Sequence, residues 1–222
     1  MGLNGVKVSS MNKGITRDRI VTAALGLLNE KGMDGLTVRA LATRLDVRPS
    51  ALYWHVRNKR ELLDEMGTAV MRRVGSALSE LPPGDGWRDD LAAFASVLRA
   101  EFLLHRDGAR IFSGTRIADP EVVQTKEFWF VRWTASGVEL SDADDAVDLV
   151  TAFVVGFVIE EQEHRQSAET DPTRYSLAER DAWLGGDAPL VKRAGHLHDH
   201  GDQRFERHLG IVLDGLAARL KV

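Results

Sequence analysis

VRPSALYWHVRNKRELLD, residues 47–64, contains the start signals of two successive helices. Pro49 suits the first turn of a helix, where a missing backbone N–H costs nothing. Asn58 and Glu61, three residues apart, form a capping-box signature that predicts another helix from Lys59 onward. One short helix therefore ends, and a second helix begins, within this stretch.

The sequence before this stretch predicts two further helices. Thr16 can cap the first, and Gly32 can end it in the left-handed conformation. Thr37 can cap the second, and Asp46 with Val47 makes the turn that follows it. Apolar residues recur at helical spacing in both, at Ile20, Ala23, Ala24, Leu27 and Leu28, and then at Val38, Leu41, Ala42 and Leu45. Two short helices separated by about three residues are typical of a helix-turn-helix.

The helix that begins at Pro49 has side chains suited to reading DNA. Leu52 and Val56, four residues apart, can face the core. The outward side then carries Arg48, Ser50, Ala51, Tyr53, Trp54 and His55. Arginine can pair with guanine, small residues allow close approach or contact with a thymine methyl group, and tyrosine, histidine and lysine can reach phosphates. The pattern predicts a helix that enters the major groove, with core packing as the alternative role for Trp54.

Charge is distributed unevenly along the 222 residues, whose net charge is −4. Residues 1–73 contain 13 Lys and Arg against 7 Asp and Glu, which gives +6, and the remaining residues contain 16 against 26, which gives −10. This asymmetry predicts a basic N-terminal module that meets a polyanion and an acidic body that does not. Chance clustering of solvated charge is the alternative.

Composition excludes several classes of function. The chain has no cysteine, so neither a disulfide, a zinc thiolate nor a thiol nucleophile can operate. The most apolar run, TAFVVGFVI at 151–159, is shorter than the roughly 18 residues of a membrane span. The N-terminal residues lack the apolar core of a signal peptide. We expect a cytoplasmic protein that does not enter a membrane, with a disordered N-terminal arm at residues 1–14.

Four segments carry a resemblance to a known family. LTVRALATRLDVRPSALYWHVRNKRELLD, residues 36–64, preceded by ALGLLNEKGMDG, resembles the DNA-binding domain of the tetracycline repressor (TetR) family. Similarity continues at HRDGARIFSGTR (105–116) and IEEQEH (159–164), and more weakly at LGIVLDGLAARL (209–220). The resemblance covers most of residues 15–222.

The resemblance implies an all-α homodimer that binds double-stranded DNA and responds to a small molecule. A three-helix helix-turn-helix domain would span residues 15–62, and a larger helical domain for ligand binding and dimerisation would span residues 63–222. The implied DNA contacts fall on Thr37, Arg39, Arg48, Pro49, Ser50, Tyr53, Trp54, His55 and Lys59. The tetracycline repressors have glutamine then proline at the start of the reading helix, where this chain has Arg48, Pro49 and Ser50. We therefore expect a different operator.

The effector site implied by the resemblance departs from the family pattern. In the tetracycline repressors an imidazole two residues before the Gly-Thr-Arg motif coordinates the drug-bound magnesium, and here Phe112 takes that place. A phenyl ring has no lone pair for a cation, so we expect neither a metal nor a magnesium-chelated tetracycline. We expect a flat apolar effector in a pocket lined by Phe94, Leu98, Phe112, Thr115, Arg116, Phe128, Trp129, Trp133, Glu160 and His164. For each aromatic residue in this set, core packing is the alternative.

Two C-terminal stretches, residues 142–164 and 203–220, have many apolar residues at helical spacing. These are Val147, Val150, Val154, Phe157 and Val158 in the first, and Phe205, Leu209, Val212, Leu213 and Leu216 in the second. They exceed what one domain needs to bury, and pairing with a second copy of the chain would form a four-helix bundle.

Two other functions remain as alternatives. His196 with His200, or Glu160 with His164, would place two metal ligands on one helical face of an enzyme. Neither pair has a third ligand or a general base that the sequence identifies, so we expect no enzymatic activity and no cofactor. An architectural DNA-binding protein would not need an acidic helical body with aromatic residues. We therefore predict a repressor that a small aromatic or polycyclic effector releases from a palindromic operator.

Overall fold

The computed structural model describes residues 15–197 and 201–220, and all regular secondary structure within them is helical. The helices are α1 (Arg17–Gly35), α2 (Val38–Arg44), α3 (Pro49–Leu52), α4 (Lys59–Ser79), α5 (Trp87–Leu103), α6 (Gly108–Phe112), α7 (Pro120–Ala135), α8 (Leu140–Thr170), α9 (Leu177–Leu184), α10 (Pro189–His196) and α11 (Asp202–Leu220). The predicted all-α fold is confirmed. The arm predicted at residues 1–14 lies outside the described residues.

The N-terminal helices begin where their capping residues predict. The side chains of Thr16, Thr37 and Asn58 each accept a hydrogen bond from a backbone N–H in the first turn of α1, α2 and α4. Gly32 has a φ of 66°, as expected of a glycine that interrupts a helix. The regular helix is therefore interrupted at Gly32, and a further helical segment continues from the kink to Gly35.

The described residues form two separate hydrophobic cores, and α4 contributes residues to both. The first core joins α1, α2, α3 and the start of α4, as far as Met66. The second core begins at Val70 in α4 and is built from α5, α7, α8 and α11. The N-terminal and C-terminal halves of α4 therefore belong to different cores.

Polar contacts hold the second core together from within. Arg99 of α5 is buried, and its guanidinium donates to both carboxylate oxygens of Glu161 in α8 at 2.9 Å and to Asp202 in α11 at 2.8 Å. The same guanidinium lies over the ring of Phe205, 4.7 Å from its centroid. These contacts fix α5, α8 and α11 relative to one another.

Most of the apolar residues of α8 and α11 that were expected to need a second copy of the chain are buried within the single protomer. α5 packs against both helices and covers most of these residues within a single protomer. The buried ones are Val147, Val150, Val154, Val158, Phe205, Leu209, Leu213 and Leu216, and Phe157 and Val212 pack against the same core. The outward faces carry different apolar residues, Leu149 and Ile211.

Among the described helices, none is long and apolar enough to cross a membrane.

Candidate functional site

The reading surface, defined here as residues 47–55, is a short helix followed by a turn. α3 has only four residues, and the turn after it ends where the Val56 N–H donates to the Leu52 carbonyl at 2.9 Å. Val56 is buried, and Asn58 is extended because it caps α4, so the chain must leave the helix before it. The helix is therefore shorter than the sequence pattern predicts.

The aromatic side chains of the reading surface face solvent. Trp54 is 88% exposed and Tyr53 is 52% exposed, whereas Leu52 is fully buried. Core packing, the alternative role for Trp54, is therefore wrong for the protomer. Arg48, Pro49 and Ser50 are exposed beside these rings, and His55 is half-buried.

The polar groups on this surface differ from their neighbours in having no partner within the described residues. Arg48, Tyr53 and His55 make no side-chain hydrogen bond or ion pair there, and neither does the exposed Arg39 of α2. Nearby cations are engaged instead: Arg17 with Glu65 at 2.7 Å, Arg44 with Glu30 at 2.7 Å, Arg57 with Glu61 at 3.1 Å, and Lys59 with the Met33 carbonyl at 3.3 Å. These unpaired groups thus lie at positions predicted to contact DNA, while Lys59 also holds α4 to the end of α1.

A shallow depression of about 570 Å³ lies in the reading surface. Its lining consists of Ile15, Val47, Arg48, Ser50, Ala51, Trp54 and His55. Apolar side chains and unpaired polar groups therefore occur side by side on this face.

Most of the aromatic residues predicted to line an effector pocket lie in the second core. Phe94, Leu98 and Trp133 are buried there. Trp129 stacks on Trp133 with a centroid distance of 5.8 Å and meets the edge of Phe94 at 5.4 Å. Phe112 packs beside Phe102, with ring centroids 5.4 Å apart. Phe128 is 55% exposed on the surface of α7. Of the ten predicted residues, Glu160 and His164 line the cavity between α8 and the α9–α10 hairpin that is described below.

Trp133 has a specific structural role. Its indole N–H donates to the buried carboxylate of Asp90 at 2.8 Å, and the Arg132 guanidinium lies 3.1 Å from the same carboxylate. Arg132 also donates to the Gly84 carbonyl at 2.7 Å. This network attaches α7 to α5 and to the loop before it.

Thr115 and Arg116 lie in the loop that joins α6 to α7, and this loop is bonded to α4. The Arg116 N–H donates to Asp64 at 2.9 Å, and the Ala118 N–H donates to the buried Thr68 hydroxyl at 3.1 Å. Asp119 accepts a hydrogen bond from Arg72 at 2.6 Å, which holds the pKa of this carboxyl below its usual range. We call residues 113–119 the latch loop.

Glu160 and His164 are brought together in a different place. They line a cavity of about 1020 Å³ between α8, α9, α10 and the start of α11. Tyr175 lies against His164 with ring centroids 3.9 Å apart, and the buried Nε of Arg204 has no hydrogen-bond partner within the described residues. The sequence and the resemblance predicted Glu160 and His164 as ligand-binding residues. They did not predict the residues that α9, α10 and α11 contribute to the cavity, because these depend on how the α9–α10 hairpin folds back.

Sequence reasoning also missed a junction between the two cores. His105 Nε2 lies 2.8 Å from Arg73 of α4, and its Nδ1 lies 3.2 Å from the Asn29 side-chain oxygen of α1. The His105 carbonyl accepts a hydrogen bond from Gln162 of α8 at 2.7 Å. Burial, and then the charge of Arg73, lower the pKa of His105. The only signal was that His105 opens the motif HRDGAR, which carried the resemblance.

The pairs considered as metal ligands do not form a metal centre in the described part of the chain. His200 lies outside the described residues, and His196 Nε2 contacts Asp181 at 2.7 Å across the α9–α10 hairpin. Within residues 15–197 and 201–220, no three His, Asp or Glu side chains come together as metal ligands.

Two family models match the chain. "Bacterial regulatory proteins, tetR family" matches residues 20–66, and "Tetracyclin repressor-like, C-terminal domain" matches residues 81–220. The tetracycline repressor protein class A of transposon 1721 from Escherichia coli is 38% identical over 202 residues, which are 90% of this chain and 89% of that protein.

Solved structures agree with this match. A possible TetR family transcriptional regulator from Streptomyces coelicolor A3(2) superimposes with a TM-score of 0.78 at 34% identity, over 91% of this chain and 99% of the other. The TetR family protein ActR of Streptomyces coelicolor, in complex with actinorhodin, superimposes with a TM-score of 0.73 at 32% identity, over 93% of this chain and 98% of the other. The chain belongs to the TetR family of bacterial transcriptional regulators.

Proposed function

We propose that the chain is a homodimeric cytoplasmic repressor that a polycyclic aromatic effector releases from a palindromic operator without a metal ion. The observation that carries this proposal is the attachment of the latch loop to α4 through Asp64, Thr68 and Arg72. α4 also belongs to the core of the N-terminal domain. A ligand that moves the latch loop therefore moves the reading surface.

DNA binding is assigned to Thr37, Arg39, Arg48, Pro49, Ser50, Tyr53, Trp54, His55 and Lys59. The exposure of Tyr53 and Trp54 and the unpaired guanidinium groups of Arg39 and Arg48 support this assignment. Thr37 and Lys59 contribute less directly, because Thr37 caps α2 and Lys59 bonds to the Met33 carbonyl. Guanidinium groups without a carboxylate partner can pair with guanine or phosphate at no cost of breaking an ion pair.

Dimerisation is assigned to the outward faces of α8 and α11. Ile211 is 66% exposed and Leu149 is 50% exposed. A Cβ atom added at Gly156, Gly210 or Gly215 would meet no atom within 4 Å, so backbone is open to a neighbour at these positions. A single reading helix covers only a few base pairs, so two copies on a palindrome are needed for specific binding.

The residues present do not fit a magnesium-chelating effector site. Phe112 stands where the resemblance places the metal-coordinating imidazole, and a phenyl ring cannot supply a ligand atom. The related protein ActR forms a complex with actinorhodin. Thr115, Arg116 and the aromatic residues around Phe112 would suit a flat body with a few carbonyl, phenol or carboxylate oxygens.

Operator binding tests the first part of the proposal. The full-length chain would be used to select duplexes from a randomised library, and the selected duplex would be titrated by fluorescence anisotropy. We expect a palindrome, binding that weakens steeply with salt, and weaker binding by Arg48→Ala and Tyr53→Ala variants that remain folded. Failure to enrich any sequence, or equal binding by both variants and the parent, would contradict the proposal. Light scattering that gave a monomer mass at micromolar concentration would contradict the dimer.

A further inference from the structure

The cavity between α8, α9, α10 and the start of α11 has aromatic walls. Phe153 and Phe157 line it from α8, with ring centroids 5.8 Å apart, and both rings pack against Phe205 of α11. Tyr175 and His164 form another part of the lining, with their rings in contact. The volume of about 1020 Å³ is that of a site for a small organic molecule. The cavity is therefore large enough for a flat aromatic compound.

Arg204 of α11 differs from the other three arginines that line this cavity. Each of the other three has an acidic partner: Arg165 with Glu161 at 2.5 Å, Arg174 with Glu163 at 3.2 Å, and Arg180 with Asp181 at 2.8 Å. The Arg204 side chain makes no hydrogen bond or ion pair within the described residues, although its Nε is buried. A buried donor without an acceptor is unfavourable, so a bound anion would satisfy it.

The acidic side chains of the lining do not supply this acceptor. Glu161 accepts two hydrogen bonds from the guanidinium of Arg99, both at 2.9 Å. Asp171 accepts from the backbone N–H at 3.1 Å and the hydroxyl at 2.8 Å of the threonine two residues later. Glu160 is exposed and makes no ion pair within the described residues. The guanidinium of Arg204 is thus available to a ligand.

We propose that this cavity binds an aromatic carboxylate, whose carboxylate group accepts hydrogen bonds from Arg204 and whose ring packs against Phe157 and Tyr175. Arginine holds a carboxylate through two parallel N–H···O bonds, and aromatic side chains bind a flat ring by stacking or by edge contacts. The site goes beyond the proposed function and is separate from the effector contacts, because neither Phe112 nor Arg116 lines it. An occupied site holds the α9–α10 hairpin against α8 and α11.

Two probes of nearly equal shape test the charge that the site requires. 2-Naphthoate and 2-naphthamide have the same rings, but only the first carries a negative charge at about pH 7.5. Both would be titrated by calorimetry into the full-length protein without DNA. We expect 2-naphthoate to bind with a Kd below about 1 mM and 2-naphthamide to bind at least about tenfold more weakly. 2-Naphthoate should also slow amide hydrogen exchange between Asp171 and Leu184, which bound ligand would hold in place.

Two arginine variants assign the binding to the cavity. Arg204→Gln should bind 2-naphthoate as weakly as the parent binds the amide. Arg193→Gln is the matched control, because it removes the same charge from an exposed position of α10 that does not line the cavity, and it should bind as the parent does. Glu160→Gln should bind 2-naphthoate more tightly than the parent, since it removes a like charge from the lining.

Thermal unfolding separates a ligand contact from a structural role of Arg204. Arg204→Met removes a buried donor that has no acceptor, so it should leave the unfolding midpoint unchanged or raise it. A lowered midpoint would show that Arg204 supports the fold and would overturn the site. So would the absence of 2-naphthoate binding, equal binding of the two probes, or binding that Arg116→Gln abolishes and Arg204→Gln does not. Because no DNA is present, none of these outcomes bears on operator recognition.

Discussion

Ile111 and Phe112 are adjacent in sequence, yet their side chains belong to different hydrophobic cores. Ile111 is buried in the core of the N-terminal domain, and Phe112 packs against the core of the body beside Phe102. The short helix α6 therefore lies between the two domains, and the latch loop that follows it is bonded to α4. Movement at Phe112 has two routes to the reading surface, through Ile111 and through α4.

Removal of the Asp64 carboxylate should weaken the coupling between effector binding and the release of DNA. Asp64→Ala removes the acceptor of the Arg116 N–H, which is one of the three contacts that hold the latch loop to α4, so the coupling between the loop and α4 should weaken. We expect the variant to bind DNA within about twofold of the parent's affinity and to bind the effector nearly as tightly as the parent does. The effector concentration that releases DNA should rise at least tenfold, because typical allosteric coupling changes an affinity about 5- to 150-fold. Anisotropy for DNA and calorimetry for the effector measure the two affinities separately.

Glu80→Ala is the control for this change, since Glu80 is an exposed acid at the end of the same helix. It should behave as the parent does in both assays. An Asp64→Ala protein that releases DNA at the parent's effector concentration would show that the contact between Asp64 and the Arg116 N–H does not carry the signal.

Two glycines of α4 should respond oppositely to alanine. At Gly75 an added Cβ lies 3.5 Å from Thr125, an ordinary contact, so Gly75→Ala should stabilise the protein by up to about 1 kcal/mol through helix propensity. At Gly67 the added Cβ lies 2.8 Å from the Thr115 hydroxyl, so Gly67→Ala should destabilise it by about 1–2 kcal/mol. Denaturant unfolding of both variants measures the difference.

The double variant Gly67→Ala/Thr115→Ala identifies the contact responsible. Because it removes the hydroxyl that the new methyl group meets, it should recover most of the lost free energy of unfolding. If Gly67→Ala and Gly75→Ala stabilise the protein equally, the latch loop does not pack on α4 at Thr115.

Removal of the Asp90 carboxylate should strongly destabilise the folded protein. Asp90→Ala leaves the buried indole N–H of Trp133 and the Arg132 guanidinium without their acceptor, and we expect a loss of about 3 kcal/mol in the free energy of unfolding. Asp89→Ala, at the exposed neighbouring position, should cost less than about 1 kcal/mol. Equal costs for the two variants would show that Trp133 is not anchored by Asp90.

His105 should make stability depend on pH. Arg73 can only donate, so His105 Nε2 accepts and Nδ1–H donates to Asn29, which requires a neutral ring. Its pKa is lowered in the folded protein, so between that pKa and about 6.5 the unfolded chain binds more protons. The stabilisation that the neutral His105 ring provides is therefore complete above about pH 6.5, and it is lost as the pH falls from there toward the lowered pKa of the folded protein.

His105→Gln should abolish this contribution while keeping a side chain that can donate and accept. Arg73 also pairs with Glu101, at 3.1 Å, so the slopes of the parent and the variant must be compared over the same pH range. We expect the free energy of unfolding to fall less steeply with decreasing pH in the variant between pH 6.5 and 5. Parallel curves would contradict the proposed neutral ring.

Local signals in the sequence predicted the N-terminal domain well. Thr16, Thr37, Asn58 and Pro49 act through contacts within a few residues, and each starts a helix as predicted. The solvent exposure of Trp54 could not be decided from helical spacing alone, because the helix that would have turned the indole toward the core ends at Leu52.

The body was less predictable because its contacts are distant in sequence. The valines of α8 are covered by α5 and α11 within the protomer, which no periodicity reveals, so their number does not by itself require a second copy of the chain. The aromatic residues near Phe112 can line a pocket or fill a core, and side-chain type does not distinguish these outcomes. His105 and Asn29 are 76 residues apart, and only the fold brings them together.

Release of the selected operator in the presence and absence of magnesium tests the central claim most directly. Labelled duplex bound to the parent protein would be titrated with anthraquinone-2-carboxylate, actinorhodin and tetracycline, each in EDTA and in excess Mg²⁺, with anisotropy as the readout. We predict that at least one polycyclic compound releases the duplex equally well in both conditions, and that tetracycline with Mg²⁺ acts weakly at best. Release by nanomolar tetracycline that requires Mg²⁺ would contradict the claim.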